Sequence, residues 1–404
     1  MRQNIISVRF KNIRSFRDEN TVSFLADSKY HSKNDAPEKW NLIEYESLGK
    51  EKILPVVGLY GHNASGKSNF LKFVLDLKLL LERRTSKDLI KVDPFLADDV
   101  SKNKVSMIGI EAVIDDYYFD WGVEFLPTKN EIVREELTVS RNGKRKKYVK
   151  NQTAFKASDD FVPESAKKEI TELKGRKDLS VLEILHLRGL RPFTDLYVFL
   201  HGLFDFVNLQ KKYEQLYVDD AERRKIAAAI SEIDVGVTDI KIEKFEIPPS
   251  APERIKTLLS EYATGIFYRP FFIHAGRYLL PESQGTSSYF NIMLLVADLF
   301  ANGGIVVIDE IERSLHPMLL RKIFKMFHDK NINKAGAQLL FSSHDVSVLK
   351  PDVFRRDEIY FTEKENDGSS SVYSMNAFRG LRGHEDYGEY YLKGYFGAVP
   401  VFRG

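Results

Sequence analysis

The octapeptide Gly61-His62-Asn63-Ala64-Ser65-Gly66-Lys67-Ser68 constrains this chain more than any other stretch, because it satisfies the pattern G-x-x-x-x-G-K-[ST] without a substitution. An apolar run from Ile53 to Tyr60 precedes it and the helix-compatible run Asn69 to Leu75 follows, which is the strand, loop and helix order in which that pattern binds phosphate. Glycines let the backbone close around a polyphosphate, so that successive N–H groups and the positive end of the helix face anionic oxygens. Lys67 is then expected to reach the β- and γ-phosphates, and the Ser68 hydroxyl to take one position in the octahedral shell of Mg²⁺. Gly61 to Asn69 together make the expected phosphate cradle.

The remainder of the chain has to supply a sheet for that loop, and its 404 residues suffice for two or three domain-sized units. Lys and Arg number 60 against 58 Asp and Glu, a formal charge of +2, so the overall field does not mark a nucleic-acid binder and any basic surface must be local. Cysteine is absent, which removes disulfides and thiolate zinc sites and agrees with a reducing compartment. Met1 to Phe10 alternates like a strand instead of forming a leader peptide, and no apolar run approaches the roughly 20 residues of a membrane helix. A soluble cytoplasmic protein with no membrane partner is expected.

Ile5 to Phe10 has period-two alternation, and Thr21 to Leu25 repeats it after the polar turn Arg17 to Asn20, which predicts an opening hairpin. Asp27 to Lys50 reads as a surface loop ahead of a buried strand Leu54 to Tyr60, and the helix after the phosphate loop is expected to run to about Arg84. Val105 to Val113, Tyr117 to Phe125 and Ile132 to Ser140 predict an antiparallel meander. Its last turn, Arg141-Asn142-Gly143-Lys144, holds the Asn-Gly pair of tight hairpins. Arg145, Lys146 and Lys147 follow as the densest positive cluster; a nucleic-acid or acidic-partner contact and a solvated, aggregation-resistant strand edge both account for it. Glu164 to Lys174, Leu179 to Leu190, Pro192 to Tyr217 and Asp219 to Ile233 carry helical spacing. They predict a helical insertion with Leu182, Leu185, Leu187, Leu190, Phe193, Leu196, Phe199, Leu203 and Phe206 in its core. Asp234 to Ile242 returns to strand character, so the expected division is 1–155, 156–234 and 235–404.

Ile305-Val306-Val307-Ile308 is an apolar strand that delivers Asp309 and Glu310 at its C-terminal end, where ligands sit in a parallel α/β sheet. Asp309 is the candidate for holding Mg²⁺ or its water shell, and Glu310 for orienting or deprotonating an attacking water. Leu339 to Asp345 repeats the device with Ser342, Ser343 and His344 at the strand end. One helix, roughly Met318 to Asn331, separates the two strands, as in adjacent βαβ units, and this places His344 as a candidate γ-phosphate contact.

Phe10 to Phe16, Gly61 to Asn69, Val307 to Pro317 and Ser342 to Asp345 together resemble the ABC-related AAA ATPases of the RecF, SMC and OLD lineage. The likeness is greatest to the stand-alone ATPases of bacterial anti-phage and abortive-infection systems, the RloA-like, AbiL-like and PARIS AriA-like group, whose tails Tyr390 to Pro400 also resembles. It covers roughly 1–125 and 235–404. The resemblance implies an α/β fold, an ABC-type P-loop NTPase head with an antiparallel β subdomain and a helical insertion, using ATP and Mg²⁺. It further implies a homodimer or higher oligomer in which a second head caps the γ-phosphate with a signature segment, here Glu282 to Ser287 with Ser283, Gly285 and Thr286 as the contacting residues. Gln152 is the candidate Q-loop residue.

OLD relatives carry a TOPRIM nuclease after the ATPase. The stretch beyond His344 is too short for one, and its acids Asp352, Asp357, Glu358, Glu363, Glu365 and Asp367 read as solvated. The resemblance therefore implies a sensor and scaffold ATPase that holds a separate effector, a TOPRIM-type nuclease or another toxin, until a phage component triggers it. Two other classes stay open. A RecF- or SMC-like DNA-repair clamp predicts salt-dependent DNA affinity and usually a long coiled coil, which Glu164 to Ile233 does not show. An ATP-bound interaction module predicts tight binding with little turnover.

Overall fold

The computed structural model describes residues 2–28, 40–77, 92–142, 144–151, 155–157, 162–172, 180–202, 209–231, 236–246, 248, 254, 266–274, 276–278, 283–380 and 386–400. The chain packs as two compact units. One comprises Met1–Phe204, Leu299–Glu312 and Leu320–Gly404, and the other Asp205–Asp298 and Arg313–Leu319.

In the first unit, β1 (Gln3–Lys11) and β2 (Asn20–Ser23) form the expected antiparallel hairpin. A short strand, β3 (Ile43–Glu44), forms within the stretch expected to be a surface loop and pairs with β4 (Lys52–Ile53) just beyond it. Trp40, Ile43 and Tyr45 are buried there, because these apolar side chains pull the local backbone inward despite the polar residues between them. The meander also forms, from β6 (Ser106–Ile114), β7 (Tyr117–Leu126), β8 (Glu131–Arg141) and β9 (Lys144–Asn151). With β10 (Phe155–Ala157) the order is β10-β9-β8-β7-β6-β1-β2. β10 pairs with β9 only over Tyr148–Lys150, beyond the basic cluster Arg145 to Lys147, and Lys147 lies 3.0 Å from Glu136 in an ion pair.

A second sheet of the same unit has the order β14-β15-β5-β16-β17, from β5 (Val56–Tyr60), β14 (Ile305–Ile308), β15 (Gln338–Ser343), β16 (Ile359–Lys364) and β17 (Ser370–Ser374). Its first four strands run parallel and β17 returns antiparallel. β5 and β15 are buried along their whole lengths, the reason their sequences read as unbroken apolar runs. Gly58 permits that packing: a Cβ there would lie 2.4 Å from the Phe341 ring. α1 (Lys67–Asp76) leaves the C-terminal end of β5 after the glycine loop, and its expected extension over 78–84 lies outside the described residues. Phe70 and Phe73 of α1 meet Phe10 of β1, with ring centroids 5.3 and 4.8 Å apart, tying the phosphate-loop helix to the antiparallel sheet.

The helices α2 (Glu164–Glu172), α3 (Val181–Leu187) and α4 (Phe193–Gly202) cover the meander. Glu135 of β8 anchors them. Its buried carboxylate accepts from the Trp121 indole (2.9 Å), the Ser180 hydroxyl (2.7 Å) and the Val181 N–H (2.6 Å). A negative charge at a helix N-terminus is thereby satisfied inside the core. Leu182, Leu185, Phe193, Leu196 and Phe199 are buried as expected, and Leu190 packs against the same core. Leu187 is instead 73% exposed, because α3 ends there and the chain turns away through Gly189 at φ 65°. Leu203 and Phe206 lie outside the described residues.

The expected helix Pro192 to Tyr217 is two helices, since α5 (Leu209–Val218) starts anew in the second unit. There α6 (Asp220–Ser231) and α5 pack on β11 (Val237–Glu246), which pairs antiparallel with β12 (Ile266–His274) and then β13 (Arg277–Tyr278). α7 (Gln284–Asn302) contributes Phe290 against Phe272 and Asn291 to the Tyr213 hydroxyl at 2.6 Å. The remaining helices are α8 (Pro317–His328), between β14 and β15, and α9 (Tyr387–Leu392) near the C-terminus.

The tail acids do not all face water. Glu358 is 0% exposed: its carboxylate meets His328 Nε2 at 2.8 Å and accepts the Arg355 N–H at 2.8 Å. Asp357, 4% exposed, accepts two hydrogen bonds from the Arg355 guanidinium. Local polarity predicted solvation, but a basic partner two residues away and His328 on α8 satisfy these carboxylates in the interior. Asp352 and Asp367 are exposed. The class is thus α/β, a P-loop sheet joined to an antiparallel β subdomain with helices inserted after it. No helix among the described residues is long and apolar enough to cross a membrane.

Candidate functional site

β5 ends at Tyr60 and the chain turns at Gly61 into the loop. A Cβ on Gly61 would lie 2.4 Å from the Thr362 carbonyl oxygen and 2.7 Å from Ser65 Oγ, and one on Gly66 (φ 123°) would lie 2.8 Å from Ser370 Oγ. Neighbouring β16 and β17 thus form a floor onto which only glycine fits. Ser65 and Thr362 share a hydroxyl–hydroxyl hydrogen bond of 2.6 Å, and the His62 N–H donates to the Ala398 carbonyl at 2.9 Å. Asn63 and Ala64 are exposed at the loop crest, Ala64 with φ 63°. Ser68 and Asn69 are half-buried in the first turn of α1, which contains no acidic residue.

Lys67 is buried, and its ammonium donates to the carbonyls of Gly61 (2.8 Å) and His62 (3.1 Å). Burial pushes it down from the usual 10.5 to about 8, against the opposing pull of Asp309, Glu312 and Glu310. A desolvated cation inside a glycine loop at an uncompensated helix N-terminus fits a triphosphate. Ser68 and Asp309 are the residues whose oxygens could hold Mg²⁺, an ion that takes few protein ligands and keeps its waters. Among the described residues no group of three or more His, Asp or Glu forms a metal cage on its own.

β15 lies between β14 and β5, in register Ile308 with Phe341 and Ser343 with Tyr60. That order sets the acids, the histidine and the phosphate loop along one C-terminal sheet edge. Ser342, fully buried, organises it: its hydroxyl donates to Asp309 Oδ1 and accepts the Glu310 N–H at 2.8 Å. Glu310 has φ 49°, and the Ile311 N–H then donates to the Ser342 carbonyl at 3.1 Å. This turn leaves both Asp309 and Glu310 exposed at the edge. His344 is exposed beyond β15. Partial burial holds its imidazole below the usual range, with Lys67 adding to that effect and Glu312, Glu310 and Asp309 opposing it.

Ser283, Gly285 and Thr286 belong to the second unit. Ser283 Oγ caps α7, accepting the Thr286 N–H at 3.0 Å and bonding to Thr286 Oγ1 at 2.8 Å. A Cβ on Gly285 would lie 2.7 Å from the Ser314 carbonyl oxygen. Glu282 and Gln152 lie outside the described residues. Sequence reasoning did not assign roles to Ser342, Thr362 or Glu312. Ser342 carried a signal, a small polar residue inside an apolar strand, whereas Thr362 is distant in sequence and carried none.

The sequence profile of a protein family described as "AAA domain, putative AbiEii toxin, Type IV TA system" matches residues 231–350. That segment contains Asp309, Glu310 and His344, so over this half of the site the chain is similar to AAA-type ATPases. No curated protein matches the chain. Among solved structures, an SMC head domain from Thermotoga maritima aligns over 93% of this chain and 99% of that one, at 13% identity and a TM-score of 0.41.

Proposed function

We propose that this protein is an Mg²⁺-dependent ATPase that works as the sensor and scaffold of an anti-phage module, restraining a separate effector protein. The observation that carries the ATPase reading is the Ser342 hydroxyl, which ties Asp309 and the Glu310 backbone together on the strand next to the one that ends in the phosphate loop. Backbone N–H groups of the loop and Lys67 hold the phosphates, and Ser68 with Asp309 would hold a magnesium ion, which when bound would supply charge neutralisation to the triphosphate. Glu310 accepts a proton from water as the water oxygen bonds to the γ-phosphorus. The bond to the ADP oxygen breaks, and the products are ADP and phosphate. His344 contacts the γ-phosphate. Ser283, Gly285 and Thr286 cap it from a second copy of the chain, which makes the working form at least a homodimer.

The defence role is supported by the toxin–antitoxin description of the family matched at 231–350 and by the sequence resemblance to anti-phage ATPases. The test is phosphate release by wild type and by Glu310→Gln, with ATP affinity measured by calorimetry. Glu310→Gln is expected to slow turnover by roughly 10²- to 10⁴-fold with affinity retained. Wild-type protein that neither binds nor hydrolyses ATP would end the proposal. For the module, loss of phage protection on Lys67→Ala, in cells that also express the neighbouring gene, is the expected outcome.

A further inference from the structure

Glu312 has no part in the roles assigned above, yet it sits where the two acid-bearing and histidine-bearing strand ends meet. After the positive φ of Glu310 the chain is pinned by Ile311, which is buried and donates its N–H to Ser342. That turn sends the next side chain across to the end of β15. Glu312 Oε1 accepts the His344 N–H at 2.6 Å, and its Oε2 is buried with no hydrogen-bond partner among the described residues. His344 is the first residue past the last β15–β5 pairing, Ser343 with Tyr60, so its amide has left the sheet ladder and a side-chain carboxylate receives it. Three carboxylates act on Lys67 electrostatically, and Glu312 ranks ahead of Glu310 among them.

We infer that Glu312 is a positioning residue: its carboxylate clamps the His344 backbone and so sets where the imidazole stands relative to the phosphate loop. The inference rests on the ATPase reading for its kinetic consequence but not for its structural one. A short, charge-assisted bond to a backbone amide is among the stronger hydrogen bonds a fold makes.

The experiment compares Glu312→Ala and Glu312→Gln with wild type in two independent readouts. In nucleotide-free protein, hydrogen exchange at the His344 amide is expected to accelerate by roughly ten- to hundredfold in Glu312→Ala, the loss of one charged hydrogen bond. It should stay near wild type in Glu312→Gln, whose amide oxygen still accepts. With ATP, Glu312→Ala is expected to lower kcat by a similar factor with Kd changed less than about threefold, and Glu312→Gln to recover most of kcat. Glu312→Ala combined with His344→Ala should be no slower than His344→Ala alone, because the one residue acts through the other. Unchanged exchange at His344, a Glu312→Gln protein as slow as Glu312→Ala, or fully additive effects in the double variant would each overturn the inference. If wild type proves not to hydrolyse ATP, the exchange comparison still decides whether the clamp exists.

Discussion

Replacing Ser342 by alanine tests the centre of the site with the loss of a single oxygen atom. In the native chain that oxygen donates to the Asp309 carboxylate and accepts the Glu310 N–H at 2.8 Å, in a strand with no exposure to water. A hydrogen bond to a charged group contributes about 1.5–3 kcal/mol, and an orphaned backbone N–H costs about 1–3 kcal/mol when it stays buried. Glu310 is also held at φ 49°, a conformation that costs a non-glycine residue about 1–3 kcal/mol and persists only while its surroundings enforce it. With both Ser342 hydroxyl bonds gone, and the Ile311 N–H to Ser342 carbonyl and His344 N–H to Glu312 bonds acting only beyond Glu310, the turn should relax and take Glu310 out of line. A loss of about 2 kcal/mol in transition-state positioning corresponds to roughly a thirtyfold drop in kcat. Affinity for ATP should hold, because the loop and Lys67 are untouched. Single-turnover phosphate release and ATP calorimetry on Ser342→Ala provide the assay, with urea unfolding as a check on the fold. A kcat within twofold of wild type would show that the hydroxyl does not hold the acids and would refute the reasoning.

Three further outcomes are expected. Gly61→Ala puts a Cβ 2.4 Å from the Thr362 carbonyl oxygen, a backbone clash, and should abolish ATP binding in calorimetry while costing about 1–3 kcal/mol of stability; wild-type affinity would contradict it. The Lys67 ammonium is pushed down to about 8 in the folded chain and returns to the usual 10.5 on unfolding. Between those values the native state binds fewer protons than the unfolded one, so stability should rise with pH from about 8 toward 10.5 and be insensitive to this group below 8. Urea midpoints of wild type and Lys67→Met across that window check the sign, and parallel curves would argue against burial as the cause. Glu358→Ala strands His328 and the Arg355 N–H in the interior and should cost about 3 kcal/mol or more. Asp352→Asn breaks only an exposed pair with Arg321 and should cost less than about 1 kcal/mol; equal losses in urea would refute the distinction.

Much of the fold was legible because period and burial agree locally. The alternation in β7 and the unbroken apolar runs of β5 and β15 are each set by which faces are covered, whereas β1 alternates in sequence and is buried on both faces over most of its length. Where the reading failed, a partner or a chain turn that local polarity and spacing do not reveal was decisive. Asp357 and Glu358 looked solvated from their polar neighbours, but the Arg355 guanidinium folds back onto Asp357, and His328, thirty positions earlier, meets Glu358 inside. Leu187 has helical spacing and still faces water, because the helix ends at that residue.

By itself the sequence determined the chemistry on offer: a glycine loop with Lys67 and Ser68, two acids after an apolar strand, and a histidine after another. Those are properties of short segments, and backbone sterics with hydrophobic period suffice to state them. Only the tertiary structure decided that β15 separates β14 from β5, that Thr362 and Ser370 floor the loop, and that Ser342 and Glu312 lock the acids and the histidine. Strand order and long-range hydrogen bonds depend on how distant segments share one core, and no local pattern encodes that.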